Sequence, residues 1–227
     1  FIHTQNINRN INFGLKYDVY SSEGMMVYQR SRNRYGSFWF DVRNYRYKGR
    51  MSLNFNGMKT ENNGGIIDSR WITDSTGYST KEIDVKLYNT GNEARLFEGI
   101  IEHEIAIIRG TNQIATFESG LAHEMEYTKT QRKYYDPISS VYKNKITNQT
   151  LDYFENRFNK LKTTDTLSRR VLTNAAGVFF SLGKENKIRA AGMVHNVIET
   201  YRNYYRDTLF EYKNDTDRKS TRLNSSH

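Results

Sequence analysis

Apolar and polar residues alternate with a period of two along several segments of the chain, and this spacing constrains the fold more than any other feature. Successive side chains of a β-strand point to opposite faces, so the alternation indicates strands with one apolar and one polar face. In the segment 13–20, one face carries Phe13, Leu15, Tyr17 and Val19, and the other carries Gly14, Lys16, Asp18 and Tyr20. The sequence therefore predicts an all-β chain.

The alternating segments group into hairpins. The first joins strands near 37–43 and 51–56 through a polar turn at 47–50, although Trp39 falls on the polar side. The second turns at 109–112, between an ambiguous stretch at 96–108, whose isoleucines also fit helical spacing, and a strand near 117–127. The third joins 172–182 to 188–198. Together with segment 13–20, we expect about seven antiparallel strands.

Two long polar connections, at about 61–94 and 134–168, lie between these hairpins. They are much longer than the few residues typical of compact soluble domains. Short turns at one end and long loops at the other are typical of bacterial transmembrane barrels, whose short turns face the periplasm. Strands of about 9–11 residues suffice to cross a bilayer. The pattern thus favours part of an antiparallel transmembrane β-barrel with short periplasmic turns and long extracellular loops.

The polar faces of the predicted strands carry charges of both signs. Such charges are costly in a dry core but cost little in a water-filled lumen. The candidate lumen-lining residues are Lys16, Asp18, Asp41, Arg43, Glu118, Glu124 and Glu126. Glu124 and Glu126 share one face, where paired carboxylates could serve acid–base chemistry. We expect them instead to set ion preference, as charged rings do in selective pores.

Catalytic and metal-binding signatures are weak. The chain has no cysteine, which excludes disulfides, Cys-based zinc sites and thiol nucleophiles. The neighbours Glu102, His103 and Glu104 would point to opposite faces of a strand, and His123 and His195 have no identifiable catalytic partner. We expect no enzymatic activity, no cofactor and no metal. The net charge of +9 is scattered among acidic residues, which argues against a nucleic-acid partner.

Four segments carry a resemblance to a known family: 8–18 (NRNINFGLKYD), 61–66 (ENNGGI), 120–127 (GLAHEMEY) and 164–174 (TDTLSRRVLTN). They resemble the repeated hairpins of the putative porin family of Bacteroidetes, over about residues 4–215. The resemblance implies an outer-membrane barrel longer than this chain, a signal peptide upstream, and passive diffusion of small solutes. It supplies no catalytic residues.

The resulting domain assignment is a partial outer-membrane barrel at 1–215 and a tail at 216–227. The tail looks like translated sequencing adapter, so we expect it to be non-native or disordered. The expected partners are outer-membrane lipids and small hydrophilic solutes or ions, and the oligomeric state stays open.

Two alternatives to a porin remain. A soluble or periplasmic β-barrel or sandwich would bind a ligand with its apolar face turned inward, although the long loops count against it. An outer-membrane barrel could also have a structural or enzymatic role.

Overall fold

A computed structural model of the chain describes residues 1–67, 79–111, 116–136, 141–143, 150–152, 163–183, 188–205 and 208–225. These residues form eleven β-strands: β1 (Ile2–Asn8), β2 (Ile11–Ser22), β3 (Ser31–Arg43), β4 (Tyr47–Asn62), β5 (Thr90–Thr111), β6 (Thr116–Asp136), β7 (Val141–Lys143), β8 (Thr150–Asp152), β9 (Thr163–Leu182), β10 (Ile188–Tyr205) and β11 (Thr208–Ser225). Within these ranges, no helix has the length and apolar character needed to span a membrane.

Nine strands form one antiparallel sheet in the order β1-β2-β3-β4-β5-β6-β9-β10-β11, and β7 pairs with β8 separately. Among the described residues β1 and β11 do not pair with each other, so the sheet is open, as expected for part of a barrel. The predicted all-β antiparallel fold is confirmed. The sheet has nine strands rather than about seven because β1 and β11, whose sequences alternate weakly, also pair with their neighbours.

The strand β11 continues through Ser225, into the segment that we expected to lie outside the fold. Its backbone pairs with β10 along the whole length of that strand, from Ile188 to Tyr205. This pairing concerns the backbone alone. The non-native origin of residues 216–227 stays a prediction.

The strand register keeps apolar residues on one face. Leu15 pairs with Phe38, and Phe38 pairs with Leu53, which continues an apolar row across three strands. A slip of one residue would move every side chain of a strand to the other face, so the pattern fixes the register. Trp39 lies on the polar face, opposite Gly14. Its ring occupies the space above this glycine, where an added Cβ would lie 1.9 Å from the ring.

The ambiguous stretch at 96–108 is strand, and an irregularity explains its helical spacing. The pairing of β5 with β6 shifts between Ala106 and Ile108, as a β-bulge does. Ile101 and Ile105 share the apolar face, and Ile108 returns to it because of the extra residue, Ile107. The three isoleucines therefore lie on one face of a strand.

The predicted turn at 47–50 is wrong, because these residues already belong to β4. The chain reverses at residues 44–46 instead. The side-chain Oδ1 of Asn44 accepts hydrogen bonds from the backbone N of Arg46, at 3.0 Å, and of Tyr47, at 2.7 Å. Asparagine side chains stabilise turns in this way. The other two predicted turns fall at least partly on residues 112–115 and 184–187, outside the described residues.

Connections differ in length at the two ends of the sheet. At one end, the short-turn end, residues 9–10, 44–46, 112–115 and 183–187 join the strands. At the other, the long-loop end, the connections are 23–30, 63–89 and 137–162, with 206–207 as a short exception. The two longest are shorter than expected because the strands extend further. Val85, which is fully buried, pairs with Ile66 and so orders part of the β4–β5 loop.

Candidate functional site

In a soluble protein, apolar side chains are mostly buried and polar side chains mostly exposed. The two faces of this sheet show the reverse. On the apolar face Leu121 is 52% exposed and Val178 is 60% exposed. On the polar face Ser181 is 0% exposed and Glu118 only 4%. Side chains of the polar face therefore shelter one another, whereas those of the apolar face point outward.

A contact between distant strands shows that the polar face is concave. Arg189 on β10 forms a two-pronged ion pair with Glu104 on β5, and its Nη1 lies 3.1 Å from Oε2 of Glu104. Strands β6 and β9 lie between them, so three strand spacings, about 14 Å, separate the two backbones. In the row of Glu104, the two intervening strands carry Ala122 and Gly177, whose side chains are small or absent. The guanidinium also stacks over Phe179, 4.9 Å from the ring centre.

Five charged residues form what we call the ionic cluster, near the short-turn end of the polar face. Its members are Lys48, Glu104, Arg109, Glu118 and Arg189. Lys48 Nζ lies 3.4 Å from Oε2 of Glu118, and Arg109 Nε lies 3.0 Å from its Oε1. A buried carboxylate needs such compensation, because removal from water destabilises the charged form. The cluster therefore accounts for the burial of Glu118.

All seven predicted lumen residues lie on the polar face, where they are spread over three strands. Asp41 accepts a hydrogen bond of 2.9 Å from Arg50, and Lys16 lies 3.2 Å from Asp18. Glu126 accepts a hydrogen bond of 3.1 Å from Thr128. In the described parts of the chain, Arg43 and Glu124 have no ion-pair partner. That these seven residues line a water-filled lumen stays a prediction.

The sequence reasoning missed the partners of these residues on β5. Glu102 pairs directly with Glu124, and Glu98 accepts a hydrogen bond of 2.9 Å from Asn54. With Glu126, they form what we call the acidic patch: Glu98, Glu102, Glu124 and Glu126. Alternation of Glu98, Glu102 and Glu104 with the apolar Phe97, Ile101 and Ile105 is the signal that could have found them. This alternation is hard to recognise in the sequence, because the isoleucines of the same segment also fit helical spacing.

The histidines lie as strand geometry predicts, with His103 on the face opposite to Glu102 and Glu104. His103 Nε2 lies 2.7 Å from Nδ1 of His123, whose Nε2 lies 2.7 Å from Oδ1 of Asn174. These three side chains belong to the apolar face. Within the described ranges, no group of three or more His, Asp or Glu side chains could hold a metal ion.

The two faces of the sheet, and not one pocket, thus form the candidate functional surface. A family model described as "Putative porin" matches residues 1–226. The chain belongs to this family. Membership supports a porin-like outer-membrane β-barrel at the level of the family, in agreement with the open antiparallel sheet. No curated protein and no solved structure matches the chain.

Proposed function

We propose that the intact protein allows passive diffusion of small hydrophilic solutes or ions across the bacterial outer membrane. The polar face lines the aqueous path, and the apolar face contacts lipid. A signal peptide upstream of this chain would direct export, and the source would be a member of the Bacteroidetes. The role is one of transport without catalysis, cofactor or nucleic-acid partner.

The inverted exposure of the two faces carries this proposal. Leu121, Val178 and Val194 are each more than half exposed, at 52%, 60% and 55%. A row of such residues in water would leave a large apolar surface unburied, whereas lipid covers it. The opposite face holds the ionic cluster and the acidic patch, which need water or counter-charges. A soluble ligand-binding barrel requires the reverse arrangement.

The ionic cluster and the acidic patch have different roles in the proposed path. Arg189 and Glu104 reach toward each other across two intervening strands and so narrow the concave face near the short-turn end. The acidic patch lies farther along the strands, where four carboxylates face the same side. Carboxylates along a path favour cations over anions. We therefore propose size selection at the ionic cluster and a cation preference at the acidic patch.

The test is solute efflux from liposomes that contain the full-length protein. A trapped monosaccharide should leave quickly, whereas a large dextran in the same vesicles should stay inside and exclude general leakage. Protein-free liposomes made from the same lipids give the background. Correctly inserted, heat-modifiable barrels that release the monosaccharide no faster than this background would overturn the proposed transport role.

A further inference from the structure

The apolar face changes character toward the long-loop end, where cations replace the apolar residues. Arg34 pairs with Gly57, and Gly57 pairs with Arg95 in the next strand. One row farther toward the loops, Arg32 pairs with Lys59. At the equivalent positions nearer the short-turn end, the same strands carry Phe38, Leu53 and other apolar residues. The basic residues therefore form a belt above the apolar surface, on one side of it.

Within this belt, a missing side chain leaves a groove. A Cβ added at Gly57 would meet no atom within 4 Å, so the space above this residue is open. The groove has a volume of about 660 Å³ and is lined by five cations, which define what we call the basic groove: Arg32, Arg34, Lys59, Arg95 and Lys129. Phe55 and Phe97, on the side toward the apolar surface, also line it.

The positive charge of the basic groove is largely uncompensated. Glu93 is the carboxylate that lines it, and its Oε1 already accepts a hydrogen bond of 2.8 Å from Nε of Arg95. Lys59 lies over the ring of Tyr135, 5.6 Å from its centre. Arg32, Arg34 and Lys129 form no ion pair with another described residue. Like charges held this close repel one another, so an anion would stabilise the groove.

The position of the groove selects the kind of anion. Guanidinium groups bind phosphate oxygens with two parallel hydrogen bonds, which favours a phosphate ligand. A free phosphate has no apolar surface that could pack against the aromatic rings of Phe55 and Phe97. An acyl chain does, because it buries apolar surface against them and then continues along the apolar face. The groove therefore suits an amphiphile with a phosphorylated headgroup.

We propose that the basic groove binds an anionic, phosphate-bearing lipid of the membrane leaflet on the long-loop side. This inference rests on the proposed outer-membrane location, in which the apolar face contacts lipid. The headgroup phosphate lies among Arg32, Arg34 and Arg95, and the acyl chain follows Phe55 and Phe97.

The test measures binding of diphosphoryl lipid A to the full-length protein in dodecyl maltoside micelles. The double variant Arg34→Gln/Arg95→Gln should raise the apparent Kd at least about tenfold, because two charge-assisted hydrogen-bond donors are lost. The matched control, Arg9→Gln/Arg46→Gln, removes the same charge from two exposed residues at the short-turn end. This control should bind within about twofold of wild type, since it touches no groove residue.

A second variant protects the test against misfolding of the first. Gly57→Leu keeps every charge but fills the open space, so it should also weaken binding of the lipid. Dephosphorylated lipid A and inorganic phosphate serve as separate probes. Three results would each overturn the proposal. Dephosphorylated lipid A could bind as tightly as diphosphoryl lipid A, inorganic phosphate alone could bind as tightly as the lipid, or both variants could keep the wild-type affinity.

Monosaccharide efflux from liposomes, measured on the same preparations, separates this inference from the proposed function. Efflux without lipid A binding would contradict the lipid site and support the proposed transport function. Lipid A binding without efflux would support the lipid site and contradict the proposed transport function.

Discussion

The two faces of β9 differ at neighbouring positions, and the difference shows which environment each face is built for. Val178 is 60% exposed, whereas the next residue, Phe179, is 3% exposed beneath the guanidinium of Arg189. Both are apolar, so polarity alone does not decide which of them is sheltered. The curvature of the sheet does, because the concave face encloses its side chains. An exposed convex face rich in Val, Leu and Phe is stable when lipid replaces water around it.

The largest effect should come from a charge placed on the convex face. Val178→Arg should lower the free energy of unfolding in lipid vesicles by about 2–4 kcal/mol, the cost of an arginine near the middle of a bilayer. Denaturant titrations of the full-length protein in large unilamellar vesicles would measure it.

The control for this experiment is Met25→Arg, in the β2–β3 connection, where Met25 is 74% exposed. Exposed positions in water tolerate such changes within about 0.5 kcal/mol. Similar costs for Val178→Arg and Met25→Arg would mean that water covers both faces.

A smaller loss of stability should follow from removing the buried carboxylate of the concave face. Glu118→Ala leaves Arg109 without its carboxylate partner and leaves Lys48 with Glu104 alone, at 4.0 Å, and should cost about 1–3 kcal/mol. Its control is Glu124→Ala, on the same strand and face, which lacks an ion pair among the described residues and should cost less than about 0.5 kcal/mol. The same titrations measure both. Equal costs would show that water reaches the ionic cluster as freely as the acidic patch.

The smallest effect concerns ion preference. Glu124→Gln/Glu126→Gln should lower the ratio of cation to anion permeability about twofold, as expected for two charges about 10 Å from a hydrated ion, after screening. Reversal potentials across a planar bilayer with a salt gradient would measure the ratio. Glu61→Gln/Glu93→Gln removes two carboxylates from the convex face and should leave the ratio unchanged. A shift of equal size in both variants would place the ion path elsewhere.

Much of the sheet could be predicted from the sequence because alternation is a local property. The strands near 13–20, 172–182 and 188–198 follow it closely, and their faces are those expected. Local pattern failed where a single residue that does not follow the alternation decides the outcome. The side chain of Asn44 stabilises a turn at 44–46, before the position predicted for it. The extra residue Ile107 shifts the register of β5 against β6.

The functional surface was predictable in composition but not in arrangement. The face of Glu118 follows from its place in the strand, but its burial depends on Arg109 and on Lys48, which lies 70 residues away. The pair between Arg189 and Glu104 needs the curvature of four strands, which no segment contains by itself. The basic groove likewise requires Gly57 between two arginines that neighbouring strands contribute.

The meander order of the sheet has a consequence for how such proteins diversify. Each strand of the large sheet pairs with its successor in that sheet, so every hairpin starts and finishes at the same end. Duplication or loss of one hairpin therefore changes the circumference of a barrel without inverting the strands that follow. The long connections would stay at the same end of the sheet, and each remaining strand would keep its apolar residues on the same face. The circumference of such a barrel can thus evolve in steps of two strands, by recombination at the short turns.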